Sequence, residues 1–362
     1  MGEVSLLNKK TLYILIFTTT LLSVFTHFFI ESEVMQFITA CLSLLTWATL
    51  LGKATESVAL YAGERLGGFL NATFGNAAEL IISIFLLKEG LFDMVKASIT
   101  GSIIGNLLLV LGLSLFFGGL KFKVQKFNSM LAGHNVSLMM LAVIALFVPA
   151  VFLQNMTTDT VNTVSIVIAS VLLIGYFLWL YFSMVTHKKE LGDSIDGIPN
   201  FDEKEKDAHL EWSKRTSILL LVISTVFVAI QSEWLVHNIE SVAEALGWSE
   251  LFVGAFLIAI IGNAAEHSAA IFLAMKNRIG AAVEIAVGSS LQIALFVAPA
   301  LVFISLFLGK PMDIIFTTYE IVAIAVAAFI ASSISRDGST NWYEGILLLI
   351  VYVILGTVFF VV

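Results

Sequence analysis

The sequence predicts an all-α polytopic membrane protein of eleven transmembrane helices: one N-terminal helix, then two inverted five-helix repeats. Three observations carry that prediction. Apolar residues make up 59% of the 362 and charged residues 13%, with a mean hydropathy of +0.97; soluble proteins carry roughly 45–50% and about 25%. Eleven apolar stretches each approach the roughly 20 residues that a helix needs to cross a bilayer. The pentapeptide GNAAE occurs twice, at Gly75–Glu79 and Gly262–Glu266.

This composition excludes a soluble enzyme and a disordered chain. With a net charge of −8 there is no basic surface for nucleic acid. A single cysteine, Cys41, allows neither an internal disulfide nor a thiolate metal site. Four prolines leave helix breaks mainly to the 25 glycines.

The expected spans run 11–30, 34–53, 68–88, 93–119, 131–153, 160–187, 214–236, 250–275, 280–308, 312–334 and 342–362. The first follows Lys9 and Lys10 like a signal peptide, but it lacks a small-residue cleavage site and is kept as a helix. The third and eighth carry the GNAAE copies. The fourth and ninth carry Gly101-Ser102 and Gly288-Ser289.

Cytoplasmic segments of membrane proteins are enriched in Lys and Arg. With a cytoplasmic N-terminus, the outer segments carry only Lys88, Lys96 and Lys310, and the cytoplasmic ones hold the other sixteen of nineteen cations. The C-terminus is then outside. The polar stretch 188–213, rich in Asp and Glu, becomes a cytoplasmic linker. A solvated acidic segment is its plainest reading; a surface that concentrates or senses cations is the functional one.

An offset of 187 aligns GNAAE with GNAAE, Ile84-Phe85-Leu86 with Ile271-Phe272-Leu273, and Gly101-Ser102 with Gly288-Ser289. At offset 184, Glu56-Ser57-Val58-Ala59 matches Glu240-Ser241-Val242-Ala243. Such ordered matches predict a duplication. The domains follow: 1–33 an N-terminal helix, 34–187 the first repeat, 188–213 the linker, 214–362 the second repeat. The second span starts outside and the seventh inside, so the repeats are inverted. Inverted repeats are typical of secondary transporters, whose substrate site lies near the midplane between them.

An ionised carboxylate at mid-bilayer costs about 2.5–3.5 kcal/mol on insertion scales. One such glutamate could be protonated and bonded to backbone. Glu79 and Glu266 are two, at equivalent repeat positions, which points to a shared site. Asn76 and Asn263 precede them by three residues and share their helix face. Gly75 and Gly262 fit helix breaks that free backbone carbonyls. Ser102 and Ser289, with Asn106 and Gln292 about a turn further on, extend an oxygen-rich set. Polar residues beside glycine also serve helix packing. Oxygen ligands select hard cations, and calcium takes 6–8 of them. Two carboxylates balance a divalent charge.

His267 reads equally as an orienting hydrogen bonder or a proton relay. Glu56, Glu240 and Glu244 lie on short amphipathic stretches after spans two and seven. They read first as interfacial charges and second as the lining of cation access paths. Glu284 and Glu320 lie near span starts, as structural or access residues.

The segments GNAAELI, GSIIGNLLLVLG, GNAAEHSAAI and GSSLQIAL closely resemble the calcium/proton exchanger family of the calcium/cation antiporter superfamily. The resemblance covers nearly the whole chain. It implies an eleven-helix pseudo-symmetric fold that exports cytoplasmic calcium against protons. Carried over residue by residue, it makes Glu79 and Glu266 the alternating calcium or proton sites, joined by Asn76, Asn263, Ser102, Ser289 and Gln292. Sodium/calcium exchangers favour proline before the acid, where Ala78 and Ala265 stand here, and this favours protons over sodium. The N-terminal extension of plant and fungal relatives is absent, which implies the plasma membrane of a bacterium or archaeon.

The expected partners are calcium, protons and the lipid bilayer, without nucleic acid; a homo-oligomer is left open. Calcium is substrate, and no prosthetic group is expected. Protons and calcium would compete for the glutamate pair under alternating access. The alternatives are a sodium- or potassium-coupled calcium exchanger or a manganese exporter on the same fold, a cation channel, and, more distantly, an intramembrane metal-dependent hydrolase. The last would more often show HExxH, which is absent.

Overall fold

The structure, a computed structural model, describes residues 9–153, 156–187 and 212–362. Nearly all of it is helix. In order come α1 (Lys9–Phe29), α2 (Glu33–Ala62), α3 (Glu64–Phe74), α4 (Ala77–Glu89), α5 (Phe92–Phe122), β1 (Val124–Lys126), α6 (Ser129–Phe152) and α7 (Thr158–Thr186). Then follow α8 (Lys214–His237), α9 (Ile239–Leu246), α10 (Glu250–Met275), α11 (Ile279–Phe307), α12 (Thr318–Ile334), β2 (Ser339–Asn341) and α13 (Trp342–Val361). The two strands pair antiparallel, Val124 opposite Asn341.

Among the described residues, nine helices are long and apolar enough to cross a membrane: α1, α2, α5, α6, α7, α8, α10, α11 and α13. The other two expected spans take different forms. Stretch 68–88 is split into α3 and α4 at Gly75 and Asn76. Stretch 312–334 is helical only from Thr318, where Thr317 and Glu320 form a capping box.

Two further expectations are corrected. Glu56 does not lie on a separate amphipathic stretch, because α2 runs unbroken to Ala62. In the second GNAAE copy no break occurs, because α10 is helical through Gly262 and Asn263. Its irregularity lies earlier, in a π segment at Val253–Ile258. The acidic stretch lies outside the described residues apart from Trp212 and Ser213. Ser213 caps α8 by accepting from the Thr216 amide.

α1, α2 and α8 are joined by hydrogen bonds between side chains on different helices. Trp47 Nε1 donates to Thr20 Oγ1 at 2.8 Å, Ser23 to Gln231 at 2.7 Å, and the Ser57 and Ser217 hydroxyls meet at 2.7 Å. Trp47 also stacks on Phe227 with centroids 4.2 Å apart. Between membrane helices each such bond contributes about 0.6–2 kcal/mol.

α5 and α10 cross at small residues. A Cβ on Gly101 would collide with the Ala255 backbone, and one on Gly254 would stand 2.6 Å from Ala97 Cβ. Only glycine lets these backbones approach so closely. π segments recur beside this crossing, at Gly105–Val110 in α5 and Ile293–Val297 in α11. Such one-turn bulges turn the following side chains and gather at functional sites.

Candidate functional site

The break at Gly75-Asn76 makes Asn76 the N-cap of α4 and places Glu79 in its first turn. The positive end of the α4 dipole therefore favours an anion there. Glu79 is 1% exposed. Its Oε1 accepts from the Ser102 hydroxyl on α5. Ser102 Oγ in turn accepts from Asn263 Nδ2 on α10 at 2.9 Å. Asn263 Nδ2 also reaches the Ala259 carbonyl at 2.9 Å, which fixes the amide.

Glu266 lies in mid-helix and is half-buried. Its Oε2 accepts from the Ser289 hydroxyl on α11. Each glutamate is thus paired with the serine 23 residues later, in both copies. Asn76 Nδ2 donates to Gln292 Oε1 at 2.7 Å, joining α4 to α11. His267 Nε2 and Asn106 Oδ1 meet at 3.1 Å.

The two motifs face each other. A Cβ on Gly262 would stand 3.3 Å from Glu79 Cβ, and one on Gly75 would stand 3.4 Å from Glu266 Oε1. Each motif's glycine therefore packs against the other motif's glutamate, and at Gly262 the fit is the tighter. The expectation of a freed carbonyl at Gly262 is corrected: the continuous helix commits that carbonyl to its own ladder, and the residue serves as space.

Glu79 Oε2 and Asn76 Oδ1 are buried without a hydrogen-bond partner. Buried polar atoms are ordinarily paired, and leaving one unpaired costs about 1–3 kcal/mol. Both orphans are oxygens on one turn of α4. A hard cation takes such carboxylate and amide oxygens as ligands.

The structure therefore brings together Glu79, Glu266, Asn76, Asn263, Gly75, Gly262, Ser102, Ser289 and Gln292, with Asn106 and His267 beside them. It leaves Glu56, Glu240 and Glu244 exposed on α2 and α9. Glu284 is half-buried in α11, and Glu320 is buried in the α12 cap. Sequence reading missed the pair of buried Lys96 with half-buried Asp313, 2.8 Å apart, having counted Lys96 only as an outer charge. A lysine inside an apolar run was the available signal.

The profile of the sodium/calcium exchanger protein family matches residues 32–185 and 216–361. The chain is 46% identical over 353 residues to the Ca(2+)/H(+) antiporter ChaA of Bacillus subtilis (strain 168), covering 97% of this chain and 99% of that one. It is 45% identical over 370 residues to the Ca(2+)/H(+) antiporter of Aphanothece halophytica, covering 98% of each. The solved structure of native YfkE superposes with a TM-score of 0.84 at 43% identity, over 97% of this chain and 100% of that one.

Proposed function

The chain belongs to the sodium/calcium exchanger protein family, and we propose that this multi-pass membrane protein exchanges cytoplasmic calcium for external protons. The observation that carries the reading is the convergence of Glu79 and Glu266 with two partnerless ligand oxygens, Glu79 Oε2 and Asn76 Oδ1. The names of its relatives, calcium/proton antiporters, support the choice of ions.

In this reading calcium binds between the carboxylates, with Asn76, Asn263, Ser102, Ser289 and Gln292 in reach of its shell. Protonation of the pair removes the charge that holds calcium, so the two ions compete and titrate the pair as a unit. Alternating access then converts competition into exchange. Inward proton movement supplies about 2.3 kcal/mol per charge per 100 mV.

The architecture belonging to this proposal has eleven spans. The α3–α4 pair serves as the third and 312–334 as the tenth, around inverted repeats at 34–187 and 214–362. The N-terminus is cytoplasmic, the C-terminus outside, and the host membrane that of a bacterium or archaeon. Everted vesicles or proteoliposomes with imposed gradients test it. A proton gradient should drive calcium uptake, and a sodium gradient at fixed pH should not. Uptake that follows sodium alone would overturn it.

A further inference from the structure

Glu79 and Ser102 sit on the two arms of the α4–α5 hairpin, and Glu266 and Ser289 on the two arms of α10–α11. The turn of each hairpin is gripped by a segment distant in sequence. Lys310 Nζ donates to the Lys88 carbonyl at 2.5 Å, at the end of α4. Lys121 Nζ donates to the Met275 carbonyl at 3.0 Å, at the end of α10. Lys88 and Met275 are 187 residues apart, the same offset as the glutamates, and Lys121 and Lys310 are 189 apart. The two grips are thus counterparts, and they are exchanged. The segment after α11 holds the α4–α5 hairpin, and the end of α5 with β1 holds the α10–α11 hairpin.

Buried groups complete each grip. On the first, Lys96 is 8% exposed and lies 2.8 Å from Asp313. One turn deeper on α5, Thr100 donates to Glu320 Oε1 at 3.4 Å. Asp313 is itself held, accepting from the Ile315 amide at 2.8 Å. On the second, buried Gln125 donates through Nε2 to the Ala274 carbonyl and to Asn277 Oδ1, both at 3.0 Å. Asn277 has φ 63°, a left-handed turn conformation that asparagine tolerates better than most side chains.

A helix is stiff along its axis. Ser102 lies six residues below Lys96, about 9 Å at 1.5 Å per residue. A shift of α5 at Lys96 therefore arrives at Ser102 nearly undiminished. Ser102 joins Glu79 to Asn263, so the same shift loosens both bonds.

We propose that Lys96 with Asp313, and Gln125 with Asn277, are positioning residues of the cation site. They form two reciprocal clasps that hold each glutamate–serine pair in register. The inference rests on the calcium reading above. Neither clasp touches the ion, and each acts through the hairpin it grips.

Calcium binding to the purified full chain by calorimetry, with transport in proteoliposomes, tests it. Lys96→Met and Gln125→Ala are expected to raise the half-saturating calcium concentration about tenfold, with turnover at saturating calcium within about twofold of wild type. Lys96→Arg, which keeps the ion pair, should restore most of the affinity. Lys121→Ala with Lys310→Ala, both exposed, should raise half-saturation about threefold, and this pair decides the matter if a buried variant does not fold. Unchanged affinity in the folded variants, or lost turnover at wild-type affinity, overturns the clasps alone. A wild-type protein that binds no calcium overturns the calcium reading and the clasps with it.

Discussion

Asn263 on α10 donates to Ser102 on α5 across 2.9 Å, and the Ser102 hydroxyl in turn donates a hydrogen bond to Glu79 on α4. Two residues 161 positions apart thus tie the second GNAAE copy to the glutamate of the first. Ser102→Ala removes both bonds. Hydrogen bonds to charged groups contribute about 1.5–3 kcal/mol, and 1.4 kcal/mol is tenfold in affinity. Calcium half-saturation should rise about tenfold or more in Ser102→Ala. Ser289 makes one such bond, to Glu266, so Ser289→Ala should cost less. Isotope uptake across a calcium titration measures both, and equal losses would contradict this unequal wiring.

Gly262 gives Glu79 its room. An added methyl would lie 3.3 Å from Glu79 Cβ and 3.5 Å from its Cα, so Glu79 must shift by a few tenths of an ångström to admit it. Gly262→Ala should displace Glu79 and weaken calcium binding several-fold while the protein still inserts. Gly262→Val should abolish transport. Wild-type affinity in Gly262→Val would show that the two motifs are not in contact.

Gly101 carries the crossing of α5 and α10. Its methyl would run into the Ala255 backbone, which has no flexible end to move aside. Overpacking typically costs about 1–3 kcal/mol, and a backbone obstacle belongs at the upper end. Gly101→Ala should lower the melting temperature in detergent by several degrees, measured without calcium so that ligand stabilisation does not intervene. An unchanged melting curve would count against the crossing.

Competition at one carboxylate pair sets the sign of the pH effect. Lower pH leaves more of the pair protonated, so half-saturating calcium should rise as pH falls. Maximal uptake at saturating calcium should stay level under a fixed proton gradient. Initial rates at several pH values separate the two parameters. A fall in the maximum at constant half-saturation would indicate separate ion sites.

The apolar stretches and the repeated motif made the helical membrane class and the identity of the central residues legible. Repetition singled out Glu79 and Glu266 because two charges at one offset in apolar runs are hard to explain otherwise. The break was not legible in the same way. The five residues GNAAE are interrupted at Gly75-Asn76 and continuous at Gly262-Asn263. Local sequence is identical, so the surroundings decide, among them the π segment that precedes Gly262. The bond from Asn76 to Gln292 spans 216 residues, and that from Lys96 to Asp313 spans 217. No periodicity or spacing reports such pairings; only the packed helices do.

The central claim is that Glu79 and Glu266 together hold the exchanged ion. The direct measurement is proton-gradient-driven calcium uptake by proteoliposomes carrying Glu79→Gln or Glu266→Gln, with protein insertion verified in parallel. The account predicts that either neutralisation abolishes exchange, because one remaining carboxylate can neither balance a divalent ion nor complete the proton cycle. Near-normal uptake in either variant would contradict it.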